Sequence, residues 1–242
     1  MKLLLLSNST NSGDSYLNWP RSYLSEFIRK YNIRSALFFP YAGVNLVEGS
    51  LTDSYDAYMI KVQNAFQVYG VEVIAAHLSD PVEITIKKVD AVFVGGGNTF
   101  HLFFEMHKGL MEIVRKEVLA GKPFIGWSAG SNIACPTLMT TNDMPIIFPG
   151  SFNGLNLIPF QINPHYLDAH PEGHGGETRQ QRIEEFLTVN RRMAVAGLRE
   201  GTLLEVEGNR IQLKGARPMR YFRYAEEPAE YHPGDNIDFL LA

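Results

Sequence analysis

Short apolar runs without alternation recur along the chain, at residues 3–6, 36–39, 71–76, 91–94, 124–127 and 194–198, each bounded by turn residues. A strand with one face in water alternates apolar and polar residues, whereas a strand buried on both faces does not. Helical patterns lie between the runs. Tyr55, Met59, Val62, Phe66 and Tyr69 recur at spacings of four and three, and Gly70 follows as a stop. Leu24, Phe27, Ile28 and Tyr31 mark an earlier helix, and residues 100–120 a longer one closed by Gly121. This alternation predicts an α/β fold in three αβα layers, with a mainly parallel sheet between helices. After about residue 200 the texture changes: residues 203–207, Gly208-Asn209 and residues 210–214 read as a C-terminal β-hairpin. No repeat or linker divides the 242 residues, so one domain, 1–242, is expected.

The composition narrows the function. A net charge of −4 gives no reason to expect nucleic acid or an anionic membrane as partner. The single cysteine, Cys135, excludes an internal disulfide framework and fits a reducing compartment. The leucines at 3–6 stop at Ser7, too soon for a signal sequence, and no stretch approaches a membrane span. A soluble, cytoplasmic protein is the expectation.

One apolar run ends in chemistry. Residues 124–127 lead into Gly126-Trp127-Ser128-Ala129-Gly130, the pattern of a serine held on a sharp strand-to-helix turn. A hydroxyl is a poor nucleophile unless it is exposed and has a neighbouring base and a home for an oxyanion. The run at 91–94 ends in Gly95-Gly96-Gly97-Asn98-Thr99, whose bare amides beside a helix start suit an anion. A tight turn capped by Asn98 or Thr99 accounts for that loop equally well.

Of seven histidines, His165 stands out because Pro164 holds it at a strand end. His170 and His174 lie in the glycine-rich loop that follows, while His101 and His107 read as partly exposed helical residues. An orienting carboxylate is needed, and Asp168, Glu172, Glu177 and Glu200 are candidates. Glu200 follows the run at 194–198 and is expected on the same sheet edge as Ser128. Thr178 and Gln181 have capping-box spacing, so Arg179 falls in a first helical turn, where a cation opposes the helix dipole. A guanidinium there suits a small carboxylate; an exposed surface arginine is the plainer account.

Together these segments resemble the peptidase E (α-aspartyl dipeptidase) family of serine peptidases. The resemblance rests on Val94-Gly95-Gly96-Gly97-Asn98-Thr99-Phe100, Gly126-Trp127-Ser128-Ala129-Gly130, Thr140-Thr141-Asn142-Asp143-Met144-Pro145-Ile146, Gln161-Ile162-Asn163-Pro164-His165 and Gly176-Glu177-Thr178-Arg179. It covers most of the chain from residue 1 to about 205. It implies a flavodoxin-like, class I glutamine-amidotransferase-like architecture and no metal or organic cofactor. It further implies Ser128 as nucleophile, His165 as general base, Glu200 as acid and Arg179 as receptor for an aspartate side chain. Arg199 stands where the family has proline, which would loosen the acid or add a charge beside it, and a tail at 231–242 looks additional.

The activity implied is hydrolysis of Asp-Xaa dipeptides through an acyl-enzyme, with the oxyanion met by the amides of Gly96 and Ala129. An α/β-hydrolase esterase using Ser128, Asp168 and His232 is one alternative. A non-catalytic binder of small anions, using the glycine loop and Arg179, is another.

Overall fold

The computed structural model describes residues 1–79, 81–169, 173 and 175–242. The larger of two sheets contains β1 (Lys2–Leu6), β2 (Ser35–Phe39), β3 (Glu72–Ala75), β4 (Ala91–Val94), β5 (Phe124–Trp127), β8 (Thr202–Glu207) and β9 (Arg210–Gly215). Their order is β3-β2-β4-β5-β1-β8-β9. The first five strands pair in parallel, and the hairpin of β8 and β9 adds antiparallel beside β1.

Alternate residues of these strands point to opposite faces, and each face is covered. On one side Leu4, Phe38, Phe93 and Ile125 meet Phe27 of α1 (Arg21–Lys30) and Phe66 of α2 (Leu51–Gln67). On the other, Leu5, Phe39, Val92 and Phe124 meet Ile86 of α3 (Val82–Lys88), Phe103 of α4 (Thr99–Met106) and Val114 of α5 (Leu110–Leu119). Both layers are apolar, so the central strands β1, β2, β4 and β5 carry no polar face. The order β3-β2-β4-β5 is that of the first four strands of a flavodoxin-like sheet, and it opens a crevice beyond the carboxyl ends of β2 and β4.

Two expectations are corrected. The long helix at 100–120 is two helices, because Gly109 adopts φ +100 and turns the chain between α4 and α5. The run at 194–198 is not in the main sheet. It forms β7 (Ala194–Leu198) in a second sheet of order β11-β10-β7-β6, with β6 (Gln161–Asn163), β10 (Met219–Arg223) and β11 (Ala229–Tyr231). Helix α7 (Arg179–Val189) covers this sheet through Ile183 and Leu187, against Val195 and Phe222. The last residues pack too: Ile237 and Leu240 are buried with Ile211 and Leu213 of β9.

Candidate active site

Ser128 occupies the junction between β5 and the single turn α6 (Ala129–Asn132), with φ 54 and ψ −114. A non-glycine residue adopts that backbone only where its surroundings impose it. They do so here through close backbone approach. A Cβ on Gly126 would overlap the Gly130 carbonyl, and one on Gly130 would overlap the Val94 carbonyl. The turn is further fixed by the Ser128 amide donating to Leu6 O at 3.0 Å.

His165 comes from the other sheet. Strands β6 and β7 pair in parallel, Asn163 opposite Gly197, so the residues just beyond them, His165 and Glu200, emerge at one edge. His165 Nδ1 lies 2.8 Å from Glu200 Oε1, and Nε2 lies 2.9 Å from Ser128 Oγ. The carboxylate selects the tautomer with the proton on Nδ1, which leaves Nε2 to accept from the serine. The imidazole and the carboxylate are each about two-fifths exposed, 40% and 38%. Glu200 therefore reaches the histidine from the second sheet's edge, not from the sheet that carries Ser128.

Ser7 holds the two sheets together at this point. Leu6 and Trp127 are register partners, so Ser7 and Ser128 stand side by side at the ends of β1 and β5. The fully buried Ser7 hydroxyl donates to Leu198 O at 2.8 Å and accepts from the His165 amide at 2.9 Å. His165 itself has φ 52, a second forced backbone facing the first.

The glycine loop after β4 lies against the serine. A Cβ on Gly96 would sit 2.9 Å from Ser128 Cβ. Tyr58 Oη donates to Gly96 O at 2.9 Å and accepts from Trp127 Nε1 at 3.0 Å, tying the loop to the strand that carries Ser128. Burial pushes the Tyr58 hydroxyl up to about 12, so it stays a neutral donor. The amides of Gly96 and Ala129 donate to no acceptor among the described residues.

Arg179 begins α7, and the capping box of Thr178 and Gln181 is present in full. Arg179 lines a cavity with Thr140, Asp143, Asn163 and Phe186, and makes no ion pair or hydrogen bond among the described residues. Burial, and then the neighbouring Arg182, hold its guanidinium below the usual arginine range. Among the described residues no carboxylate pairs with it, and an anion in the cavity would stabilise its charge. Ser128, His165 and Gly96 line an adjoining cavity with Asp143, Tyr16 and Lys61.

Other candidates are placed elsewhere. Asp168 is held by Arg199, Nε to Oδ2 and Nη2 to Oδ1, each at 2.7 Å. His232 is exposed, and its amide donates to Asp235. No described hydrogen bond links either to Ser128, so the geometry does not assemble the esterase triad. The non-catalytic reading leaves the Ser128–His165–Glu200 chain of contacts without a purpose. Arg199 adds no free charge: it also bonds Glu230 at 2.8 Å through Nη1 and Nη2, and Pro218 O, and is 9% exposed. His101 is buried, with Nδ1 2.8 Å from Tyr41 O, which corrects its reading as partly exposed. Glu177 is exposed and 3.7 Å from Arg182. His170, Glu172 and His174 lie outside the described residues. Among the described residues no cluster of His, Cys, Asp or Glu is arranged to hold a metal.

Sequence reasoning passed over Ser7, Tyr58 and Asp143. Ser7 carried a faint signal, a hydroxyl ending a run of leucines. Tyr58 carried none, because an aromatic residue on a buried helix face needs no polar explanation.

Known proteins resemble this chain along nearly its whole length. The model of peptidase family S51 matches residues 3–214. A peptidase E from Nostoc sp. is 49% identical over 241 residues, covering 99% of this chain and 96% of the relative. One from Streptomyces coelicolor is 45% identical over 243 residues, covering 100% and 95%. Two solved structures share the fold at low identity. A peptidase from an acI-B1 actinobacterium has TM-score 0.69 at 14% identity, covering 98% of this chain and 96% of the other. A peptidase E protein from Listeria monocytogenes has TM-score 0.64 at 21% identity, covering 89% and 98%. The chain belongs to peptidase family S51, and is an enzyme of the serine-peptidase class.

Proposed function

We propose that the protein hydrolyses dipeptides with an N-terminal aspartate through an acyl-enzyme on Ser128. The observation that carries the proposal is the pair of contacts 2.9 and 2.8 Å long that join Ser128, His165 and Glu200, beside a cavity holding Arg179, which has no ion pair among the described residues. Ser128 Oγ attacks the scissile carbonyl as its proton passes to His165 Nε2. Glu200 stabilises the imidazolium through Nδ1–H. The amides of Gly96 and Ala129 meet the oxyanion, each such donor being worth ~10²–10³ in kcat in a related chemistry. Collapse breaks the C–N bond, and Nε2 gives its proton to the departing amine. Water then repeats the sequence on the ester and frees aspartate.

Arg179 receives the aspartate side chain. A neutral N-terminal residue would leave that guanidinium unpaired and half-buried, which supports strong discrimination. The kinship with flavodoxin-like and class I glutamine-amidotransferase-like folds belongs to the proposal, supported by the strand order β3-β2-β4-β5. So do a single peptidase unit over residues 1–242 and a cytoplasmic location; the first is supported by the burial of Ile237 and Leu240, the second by one free, buried cysteine.

The test is aspartate release from Asp-Leu, beside Ala-Leu and Glu-Leu, by the wild type and by Ser128→Ala. Cleavage of Asp-Leu alone, lost in the variant, is the expected outcome. A folded wild type that cleaves none of the three, or all equally, overturns the specificity.

A further inference from the structure

The cavity that holds Ser128 contains a cation to which the reaction has given no part. Lys61 lines it, together with Gly96, His165, Val44 and Leu46. Resting on the dipeptidase reading, we propose that Lys61 receives the free carboxylate of the leaving residue and so favours dipeptides over longer chains.

Covalent structure sets the direction. A trans peptide bond carries its flanking Cα atoms on opposite sides of the scissile C–N bond. With the aspartate side chain at Arg179, the leaving residue points away from that cavity, into the part of the Ser128 cavity that Arg179 does not line. In a dipeptide the leaving Cα carries a carboxylate; in a longer peptide it carries a neutral amide. A carboxylate that gives up water needs a cation or a set of donors. The charged groups lining this cavity among the described residues are Lys61, Asp143 and His165. His165 is engaged by Ser128 and Glu200. The start of α4 is engaged as well, since Thr99 N donates to Asp143 Oδ2 and His101 N to Asn98 Oδ1. Lys61 is the charge left for the leaving residue.

The helix places Lys61 over the reaction and gives it no other partner. Tyr58 and Lys61 are three residues apart on α2, so they share a face. Tyr58 Oη holds Gly96 O at 2.9 Å, and that face therefore stands over the glycine loop beside Ser128. The residues three and four away from Lys61 are Ala57, Tyr58, Asn64 and Ala65, none of them a carboxylate. Among the described residues Lys61 forms no ion pair; its Nζ lies 4.3 Å from the centroid of the Tyr16 ring, which also lines the cavity. A cation resting on an aromatic face keeps its charge and leaves its other side open to an anion. Val44 and Leu46 supply an apolar wall for a side chain such as that of leucine.

The experiment measures wild type, Lys61→Met and Lys61→Arg on Asp-Leu and on Asp-Leu amide, which differ only in the leaving residue's charge. Lys61→Met keeps an unbranched stem over Tyr16 and loses the cation. The expected result is a loss of about tenfold in kcat/KM on Asp-Leu, solvent at this open cavity holding it near the low end for a charged hydrogen bond. The loss should fall mainly in KM, because the carboxylate is bound alike before and during the attack. On the amide the same variant should change by less than about threefold, and Lys61→Arg should stay within about threefold of wild type on Asp-Leu. Labelling of Ser128 by a fluorophosphonate, which has no leaving residue, should proceed in Lys61→Met at the wild-type rate. Equal loss on the acid and the amide, slowed labelling, or an undiminished kcat/KM on Asp-Leu overturns the role of Lys61 while the dipeptidase reading stands. A folded wild type inert to both substrates removes that reading, and the role with it.

Discussion

Ser7 and His165 are joined across the two sheets by one hydroxyl: Ser7 Oγ accepts the His165 amide at 2.9 Å while donating to Leu198 O at 2.8 Å. The register Leu6 opposite Trp127 puts this hydroxyl beside Ser128. His165 is thereby positioned relative to Ser128 by its backbone, independently of the contact between their side chains.

Ser7→Ala should therefore lower kcat by ~10–10²-fold with little change in KM, because it displaces the base without touching the carboxylate pocket. It should also cost about 1–3 kcal/mol of stability, since the His165 amide loses its acceptor, while Leu198 O keeps the Tyr166 amide as donor. Steady-state kinetics with denaturant melts check both. A variant with wild-type kcat would show that His165 is held by other contacts.

The backbone of Ser128 predicts an asymmetry between two inactive variants. At φ 54 and ψ −114, alanine inherits the strain and glycine does not. Ser128→Gly should be more stable than Ser128→Ala by about 1 kcal/mol, read as a higher Tm. Equal melting temperatures would contradict the claim that the elbow stores strain.

Arg199 gives a pH dependence. The hydrogen bond from Arg199 comes first among the causes that hold the Asp168 carboxyl below its usual range. A depressed folded-state value means stability that is full above the unfolded pKa and lost as pH falls through the folded one. Asp168 is half exposed, so solvent screening limits its share to about 1 kcal/mol or less. The Tm gap between wild type and Arg199→Met should be open at neutral pH and should narrow between about pH 5 and pH 2. A gap constant over that range would mean the arginine acts through packing alone.

Cys135 should be silent. Burial pushes its thiol up to about 12, against the pull of the Ile162 amide on Sγ. An aromatic disulfide reagent at pH 8 should release no chromophore from the native protein, and one equivalent after unfolding. Rapid native-state reaction would contradict the burial of this residue.

The central layers were legible because strands buried on both faces have no polar residues to spare, and residues 36–39 and 91–94 could be little else. The elbow was legible because only glycine permits the approaches at Gly126 and Gly130. The second sheet was not, since residues 194–198 are as apolar as a central strand and composition does not say which sheet buries them. The break at Gly109 was masked by apolar spacing that continues through both helices. The place of Asp143 was hidden for another reason: it stands between two cavities lined by separate stretches of chain, and no local pattern records that. Arg199 misled because a lone arginine in sequence does not reveal Asp168 and Glu230, 31 residues away on either side.

The central claim is that Ser128 is a nucleophile activated by His165, and intact-protein mass spectrometry after fluorophosphonate treatment tests it most directly. The account predicts one adduct, mapped to Ser128, formed at the wild-type rate in His232→Ala and lost in His165→Ala. An adduct on another residue, none on a folded wild type, or undiminished labelling of His165→Ala would contradict it.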